Sequence, residues 1–387
     1  MNSNIAVIHY HEIALKGKNR AFFERALLNN IQKQTAGAAI KVKRIAGRLI
    51  AEYKPEKENE LIEKLKHVFG VHHFELGPET TADTESMKKA ARNLFAGTSA
   101  KSFRVTANRS EKKYPFTSHD IEVEVGRVID KELKIPVDLS NPETTLSIEV
   151  VENKAYLSIR RVEGLGGLPV GVSGKVVCLL SNGFDSPVAT LRMMKRGCAP
   201  ILVHFHSYPN TSRDAIESVK KIAEIISRYV PFTPKLFLVP FADIQKFIVA
   251  NVSSPLRVVM YRRWMLWIAE QIAKREEVLA LVTGDSVGQV ASQTLENIAT
   301  VSEIVSLPIL RPLAGHDKEE IINLSKFYGT YDISKLPYDD CCSLFLQGSP
   351  KTNAGVEEIK VVEKPVRAEL EKLANVALLV STYSHQT

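Results

Sequence analysis

Four cysteines in 387 residues (Cys178, Cys198, Cys341 and Cys342) are too few for a disulfide framework and fit a reducing compartment. None belongs to a C-x-x-C pair. The histidine pairs His9/His11, His72/His73 and His204/His206 lack partner spacing, so a zinc or iron–sulfur centre is not expected. No apolar run of about 18 residues exists, which excludes a membrane-spanning helix. The start, Met1-Asn2-Ser3-Asn4-Ile5, lacks a basic stretch leading into an apolar core, so no signal peptide is expected and the cytoplasm is the expected location.

What is present is an ordinary soluble composition, 44% hydrophobic and 25% charged, in a chain long enough for two or three domains. The net charge of +7 is uneven: residues 1–50 carry nine Lys or Arg against Glu12 and Glu24, and the remainder is close to neutral. Such a basic module suggests a polyanion partner; charge alone leaves a merely solvated basic face equally open.

The first 60 residues read strand (Ile5–Ile8), helix (Arg20–Gln34) and a strand pair (Ile40–Tyr53), with a short helix from Glu60 to Phe69 after them. Helices are expected over Thr84–Phe95 and Asp120–Leu133, a strand at Phe103–Ala107, and a hairpin over Leu146–Ile159 turning at Glu152-Asn153-Lys154. Five glycines and a proline in Gly164–Gly174 mark a linker. Beyond it, apolar strands (Val176–Leu180, Ala199–Phe205, Lys235–Val239, Val278–Thr283) alternate with helices near 187–196, 213–229 and 260–275. That alternation predicts a parallel sheet covered on both faces, with a ligand at the carboxyl ends of its strands. A last helix is expected over Val356–Leu373, followed by an apolar segment at Ala377–Val380.

The first of those strands delivers Ser181-Asn182-Gly183-Phe184-Asp185-Ser186-Pro187. Pro187 suits the first turn of a helix, where its missing N–H costs nothing. Small residues and a helix N-terminus then converge on an anion, and Asp185 within that nest makes sense as a Mg²⁺ ligand. A serine-rich turn without a ligand is the plainer alternative.

This segment resembles the PP-loop, S-G-G-x-D-S, of ATP pyrophosphatases; no Gly-Lys-Ser/Thr follows, so it is not a Walker A loop. It departs from the motif at Asn182, which stands in place of the first glycine and tolerates left-handed backbone better than most residues. Further segments resemble tRNA 4-thiouridine synthetase, the ThiI family: Leu281–Asn297, Leu307–Leu313 with His316–Ile321, Tyr338–Phe345 with Ser349–Thr352, and Glu12–Arg20. Phe103-Arg104-Val105 with Arg109, Lys112, Pro115, Phe116 and Ser118 resembles a THUMP domain. The resemblance covers nearly the whole chain.

It implies an α/β multidomain fold: a ferredoxin-like module (1–60), a THUMP domain (61–165), the linker (166–174) and a doubly wound parallel-sheet PP-loop domain (175–387). It implies ATP and Mg²⁺ as cofactors, with ATP on Leu179, Leu180, Ser181, Asn182, Gly183, Phe184, Ser186, His204, Phe205, Arg262, Gly284, Gln293 and Lys318. Arg262 beside Arg263 could otherwise be a solvated helix face, and Gln293 a polar cap. Asp185 is the implied catalytic metal ligand and Cys341 the implied sulfur carrier. Lys16, Lys18, Arg20, Arg109, Lys112 and Lys113 are candidate contacts to the tRNA acceptor region. The implied reaction adenylates a uridine, at position 8, and replaces O4 with sulfur. The chain stops at Thr387 with no rhodanese-like domain, so the expected sulfur donor is a separate persulfide protein, such as a cysteine desulfurase, or free sulfide. The resemblance also allows a homodimer.

Overall fold

The computed structural model describes residues 4–45, 47–110, 114–337 and 349–384. Lys112, Lys113, Cys341 and Cys342 lie outside the described residues. The chain divides into two compact units, Met1–Pro169 and Val170–Thr387.

The first unit contains two sheets. One has the order β2-β3-β1-β4-β9, from β1 (Asn4–His9), β2 (Ala39–Ile45), β3 (Arg48–Tyr53), β4 (His73–Gly77) and β9 (Arg160–Glu163), every pairing antiparallel. Helices α1 (Arg20–Gln34) and α2 (Glu58–Leu65) belong to this half. The second has the order β5-β8-β7-β6, from β5 (Glu79–Thr81), β6 (Phe103–Arg109), β7 (Thr144–Val151) and β8 (Lys154–Ser158). β7 and β8 form the expected hairpin, with Glu152 at φ 53° in its turn. Helices α3 (Thr84–Ala96) and α4 (Ser118–Leu133) contribute to its core. Asp83 caps α3 by accepting from Ser86 N, and Thr117 with Asp120 forms a capping box on α4.

Alternation along β7 assigns its two faces. Leu146, Ile148 and Val150 join Met87, Phe95, Ile121 and Val125 in one core, while Val151 packs with Ile5, Val7, Ile50 and Tyr156 in another. The two sheets therefore meet through a second, smaller apolar layer.

The second unit is doubly wound. Its sheet order is β14-β13-β10-β11-β12-β15, from β10 (Lys175–Leu179), β11 (Ala199–His206), β12 (Leu236–Pro240), β13 (Leu281–Val282), β14 (Ile309–Leu310) and β15 (Thr382–Ser384). All pairings are parallel except that of β15, which closes the β12 edge antiparallel. The helices are α5 (Asp185–Lys195), α6 (Asp214–Ser227), α7 (Ala242–Asn251), α8 (Arg257–Arg275), α9 (Leu295–Ser302), α10 (Lys318–Tyr328), α11 (Tyr331–Ser334), α12 (Val356–Glu363) and α13 (Arg367–Val380). The chain leaves β10 toward β11 and β12, then returns through α8 to place β13 on the other side of β10. That reversal puts a crevice at the carboxyl end of β10.

Helix α8 runs through the core, with Tyr261, Trp264, Ile268 and Ala269 fully buried; each large side chain contributes roughly 1.5–3 kcal/mol by leaving water. Arg263 is 1% exposed, not on a solvated face: its guanidinium donates to Thr300 O and pairs with Glu363 at 2.7 Å and Glu303 at 3.1 Å. The single helix expected over Val356–Leu373 is two helices. Pro365 lies between them, and proline cannot continue a helical hydrogen-bond ladder. The apolar segment Ala377–Val380 is the end of α13.

Candidate active site

β10 ends at Leu179, and the chain turns through 180–184 into α5. Ser186 Oγ accepts from Ser181 N at 2.7 Å and lies 2.9 Å from Ser181 Oγ, so the two hydroxyls tie the ends of the loop together. No non-glycine residue of this loop has positive φ, so the tolerance of Asn182 for left-handed backbone is not used. Asn182 is instead buried, and its Nδ2 has no protein acceptor. A buried donor without a partner costs about 1–3 kcal/mol, which a bound oxygen would offset.

Asp185 opens α5. Its Oδ1 is 2.9 Å from Lys318 Nζ at the start of α10, and its Oδ2 accepts from Gln289 Nε2 at 3.0 Å. Gly284 permits the approach of the β13 turn: a Cβ there would stand 2.7 Å from Ser186 N and 2.9 Å from the Asp185 carbonyl carbon. Phe184 turns away and stacks on Tyr331, with ring centroids 5.6 Å apart, while Lys318 Nζ sits 5.3 Å over its face.

The crevice is a cavity of about 310 Å³. Of the expected nucleotide residues, Leu179, Leu180, Ser181, Asn182, Ser186, His204, Phe205, Arg262, Gly284 and Gln293 line it, together with Asp185; Gly183, Phe184 and Lys318 do not. One wall is apolar (Val203, Val258, Met265, Leu266, Val301) and the loop side is polar, the usual division of a small-molecule site. His204 Nδ1 lies 2.9 Å from Leu180 O, which can only accept, so Nδ1 carries the proton and Nε2 is a bare, buried, unpartnered acceptor. Burial pushes the His204 imidazole down to about 4, which keeps it neutral.

In the cavity wall Asp285 is buried and receives Arg262 Nη2, Arg311 Nε at 3.1 Å and Thr283 Oγ1 at 2.8 Å. Burial alone would raise this carboxyl; Arg262, Thr283 and Arg311 together hold it below the ordinary aspartate range. Arg262 also donates to Ser292 O and is thereby fixed as a wall of the cavity.

The model of the Thiamine biosynthesis protein (ThiI) family matches residues 171–368, that of the ThiI ferredoxin-like domain residues 5–74, and that of the THUMP domain residues 81–160. The chain belongs to the ThiI family. It is 41% identical to a Thermus thermophilus protein named "Probable tRNA sulfurtransferase", over 98% of this chain and 93% of that one. It is 39% identical to a Brevibacillus brevis protein of the same name, over 96% and 97%. A solved structure described as a 4-thiouridine synthetase–RNA complex with bound ATP is similar at TM-score 0.91 and 36% identity, covering 98% of this chain and 99% of that one.

In this ThiI-family chain, Asp285, Arg311, Thr283 and Gln289 are site residues that sequence reasoning missed. A carboxylate following an apolar strand gives no sign of which distant cations it faces. Of the candidate RNA contacts, Arg20 donates to Glu24 at 2.8 Å and Tyr10 at 2.7 Å, and Arg109 to Tyr114 O and Phe116 O, both at 3.2 Å. Lys16 lies 3.6 Å from Glu12 and 5.2 Å over the Phe23 ring, and Lys18 is exposed. Among the described residues no helix is long and apolar enough to cross a membrane.

Proposed function

We propose that this protein is an ATP-dependent sulfurtransferase of tRNA, which adenylates a uridine, at position 8, and exchanges its O4 for sulfur to give 4-thiouridine. The observation that carries the reading is the crevice at the carboxyl end of β10. There an apolar slot, a tied serine loop and the Asp185–Lys318 pair converge in a chain of this family. ATP would lie with its base against Leu179–Leu180 and His204–Phe205 and its phosphates toward the Ser181–Ser186 turn and Lys318. The α5 N-terminus favours the negative charge there.

Asp185 is a half-buried carboxylate at the phosphate end, already facing one cation. That donor set fits Mg²⁺, which binds through one or two carboxylates plus substrate phosphates. Mg²⁺ bound there would neutralise charge on the phosphates. Lys318 and the loop orient the α-phosphorus for attack by uridine O4, with the bond to the β-phosphate breaking and pyrophosphate leaving. A persulfide on Cys341 then forms the C–S bond at C4 while AMP leaves. The product is a disulfide between Cys341 and the new C4 sulfur; a second thiolate attacks Cys341 Sγ, the S–S bond breaks to release 4-thiouridine, and the new disulfide left on Cys341 is returned to thiols by an external dithiol reductant. The sulfur donor would be a separate protein persulfide, such as that of a cysteine desulfurase, which passes its outer sulfur to the Cys341 thiolate, or free sulfide, which would attack C4 directly without a persulfide, in the cytoplasm. The acceptor region of tRNA would be held by the basic first unit, through Lys16, Lys18, Arg20, Arg109, Lys112 and Lys113. A homodimer is the proposed assembly.

The test is nucleoside mass spectrometry on unmodified tRNA incubated with the protein, Mg²⁺–ATP and sulfide. Appearance of 4-thiouridine in wild type but not in Asp185→Ala supports the reading; intact ATP and tRNA binding with no thiolated base overturns it.

A further inference from the structure

The two sheets of the first unit meet through an apolar layer that ends in a cluster of charged and imidazole groups. Strand register explains the cluster. His9 pairs with His73 and Val7 with Glu75 across β1 and β4, so His9, His73 and Glu75 share the face of the first sheet that Val7 presents to the apolar layer. On β7, Glu149 lies two residues from Val151 and shares its face. His9, Glu75 and Glu149, from three strands, each place a ligand atom within 4.8 Å of the others.

The cluster is short of compensation. Arg48 Nε bonds Glu149 Oε2, leaving Glu149 Oε1 3.2 Å from His9 Nε2. That contact is not aligned as a hydrogen bond, and His9 Nε2 is buried without a partner. Arg161, the nearest further cation, is half exposed and paired with Glu163 at 2.8 Å. Arg48, itself 22% exposed, thus meets only one of the two carboxylates. A proton between His9 Nε2 and Glu149 Oε1 would bridge only two of the three groups. A divalent cation uses all three groups at once. The His9 ring is held for this role: it stacks on His73 at 4.3 Å with 8° between planes, and His73 Nδ1 is 2.9 Å from His72 Nδ1.

We propose that His9, Glu75 and Glu149 form a cation site for Zn²⁺, which joins the ferredoxin-like sheet to the THUMP sheet. One imidazole and two carboxylates with a fourth position for water match a zinc-type donor set. His9 is only partly buried, which gives the ion a route in. Sequence spacing argued against any zinc centre because the ligands come from β1, β4 and β7.

The test uses the full chain with Cys341→Ser and Cys342→Ser, so that thiols do not compete, stripped with chelator and titrated with Zn²⁺ by calorimetry. The expected result is one equivalent bound, weakened at least tenfold by adding His9→Ala or the isosteric Glu75→Gln. Equal binding in those variants, or no binding in the parent, overturns the site. Zinc-edge anomalous scattering from wild-type crystals needs no variant. A peak between His9, Glu75 and Glu149 supports the proposal, and a peak only elsewhere, or none, overturns it. Neither readout depends on ATP or tRNA.

Discussion

Asp185 and Lys318 meet at 2.9 Å although they stand 133 residues apart, each in the first turn of its own helix. The pair sets one carboxylate in the cavity wall and one ammonium beside it, and under the proposed function the two have separable tasks. Asp185→Ala is expected to lower the adenylation rate by at least about 100-fold, measured as tRNA-dependent pyrophosphate release. Lys318→Ala is expected to raise the KM for ATP more than it lowers kcat, because Asp185 remains.

Gly284 allows no side chain. A methyl group would press on the backbone of Asp185 and Ser186, which cannot swing aside as a side-chain tip can. Gly284→Ala is expected to cost roughly 1–3 kcal/mol of stability by overpacking. It should weaken ATP binding further than that by displacing the loop; urea unfolding and ATP titration on the same preparation separate the two.

Asp285→Asn removes the anion between Arg262 and Arg311 while keeping its shape. Breaking a buried pair from one side costs about 3–5 kcal/mol. Arg262 loses one of its two anchors, so nucleotide affinity is expected to fall as well, and ATP titration of the folded fraction measures it.

Glu270 ties α8 to the segment before β14 by accepting from Ser306 N at 2.6 Å and Leu307 N at 2.9 Å, with Lys274 at 2.8 Å. Burial opposes its charge, but Lys274 and these donors outweigh it and hold the carboxyl at about 2, below its ordinary 4.5. A depressed pKa stabilises the fold above the ordinary value, and that stability is lost as pH falls from 4.5 toward 2. Glu270→Gln is expected to remove up to about 3 kcal/mol at neutral pH and to flatten the acid limb of a stability–pH curve.

Cys341→Ser is expected to abolish thiolation from a protein persulfide while leaving tRNA-dependent pyrophosphate release intact. Loss of both would place the residue in adenylation instead.

The sequence made the central strand and its loop legible because an apolar run followed by small residues and a proline has few other physical meanings. It also showed the α/β alternation of the second unit. It did not show β4 or β9, which are short and rich in charged and histidine residues that signal strands poorly. Pro365 is the local signal for the break between α12 and α13. The doubled arginine left a solvated face open for Arg262; the burial of its neighbour Arg263 depends on Glu363, a hundred residues away, and no local pattern records that. The pairs Asp285–Arg311 and Asp185–Gln289 were hidden for the same reason.

The strand order has a consequence for biosynthesis. Val177 lies beside Leu281, and Leu281 beside Ile309. The crevice beside β10 therefore lacks its β13 and β14 side until the chain has been made well past its middle. A nascent chain that ended after β12 would hold a PP-loop with nothing opposite it, and Asp185 would lack both Gln289 and Lys318. On the proposed function, a chain ended before Lys318 is expected to bind ATP poorly, because both partners of Asp185 are still missing.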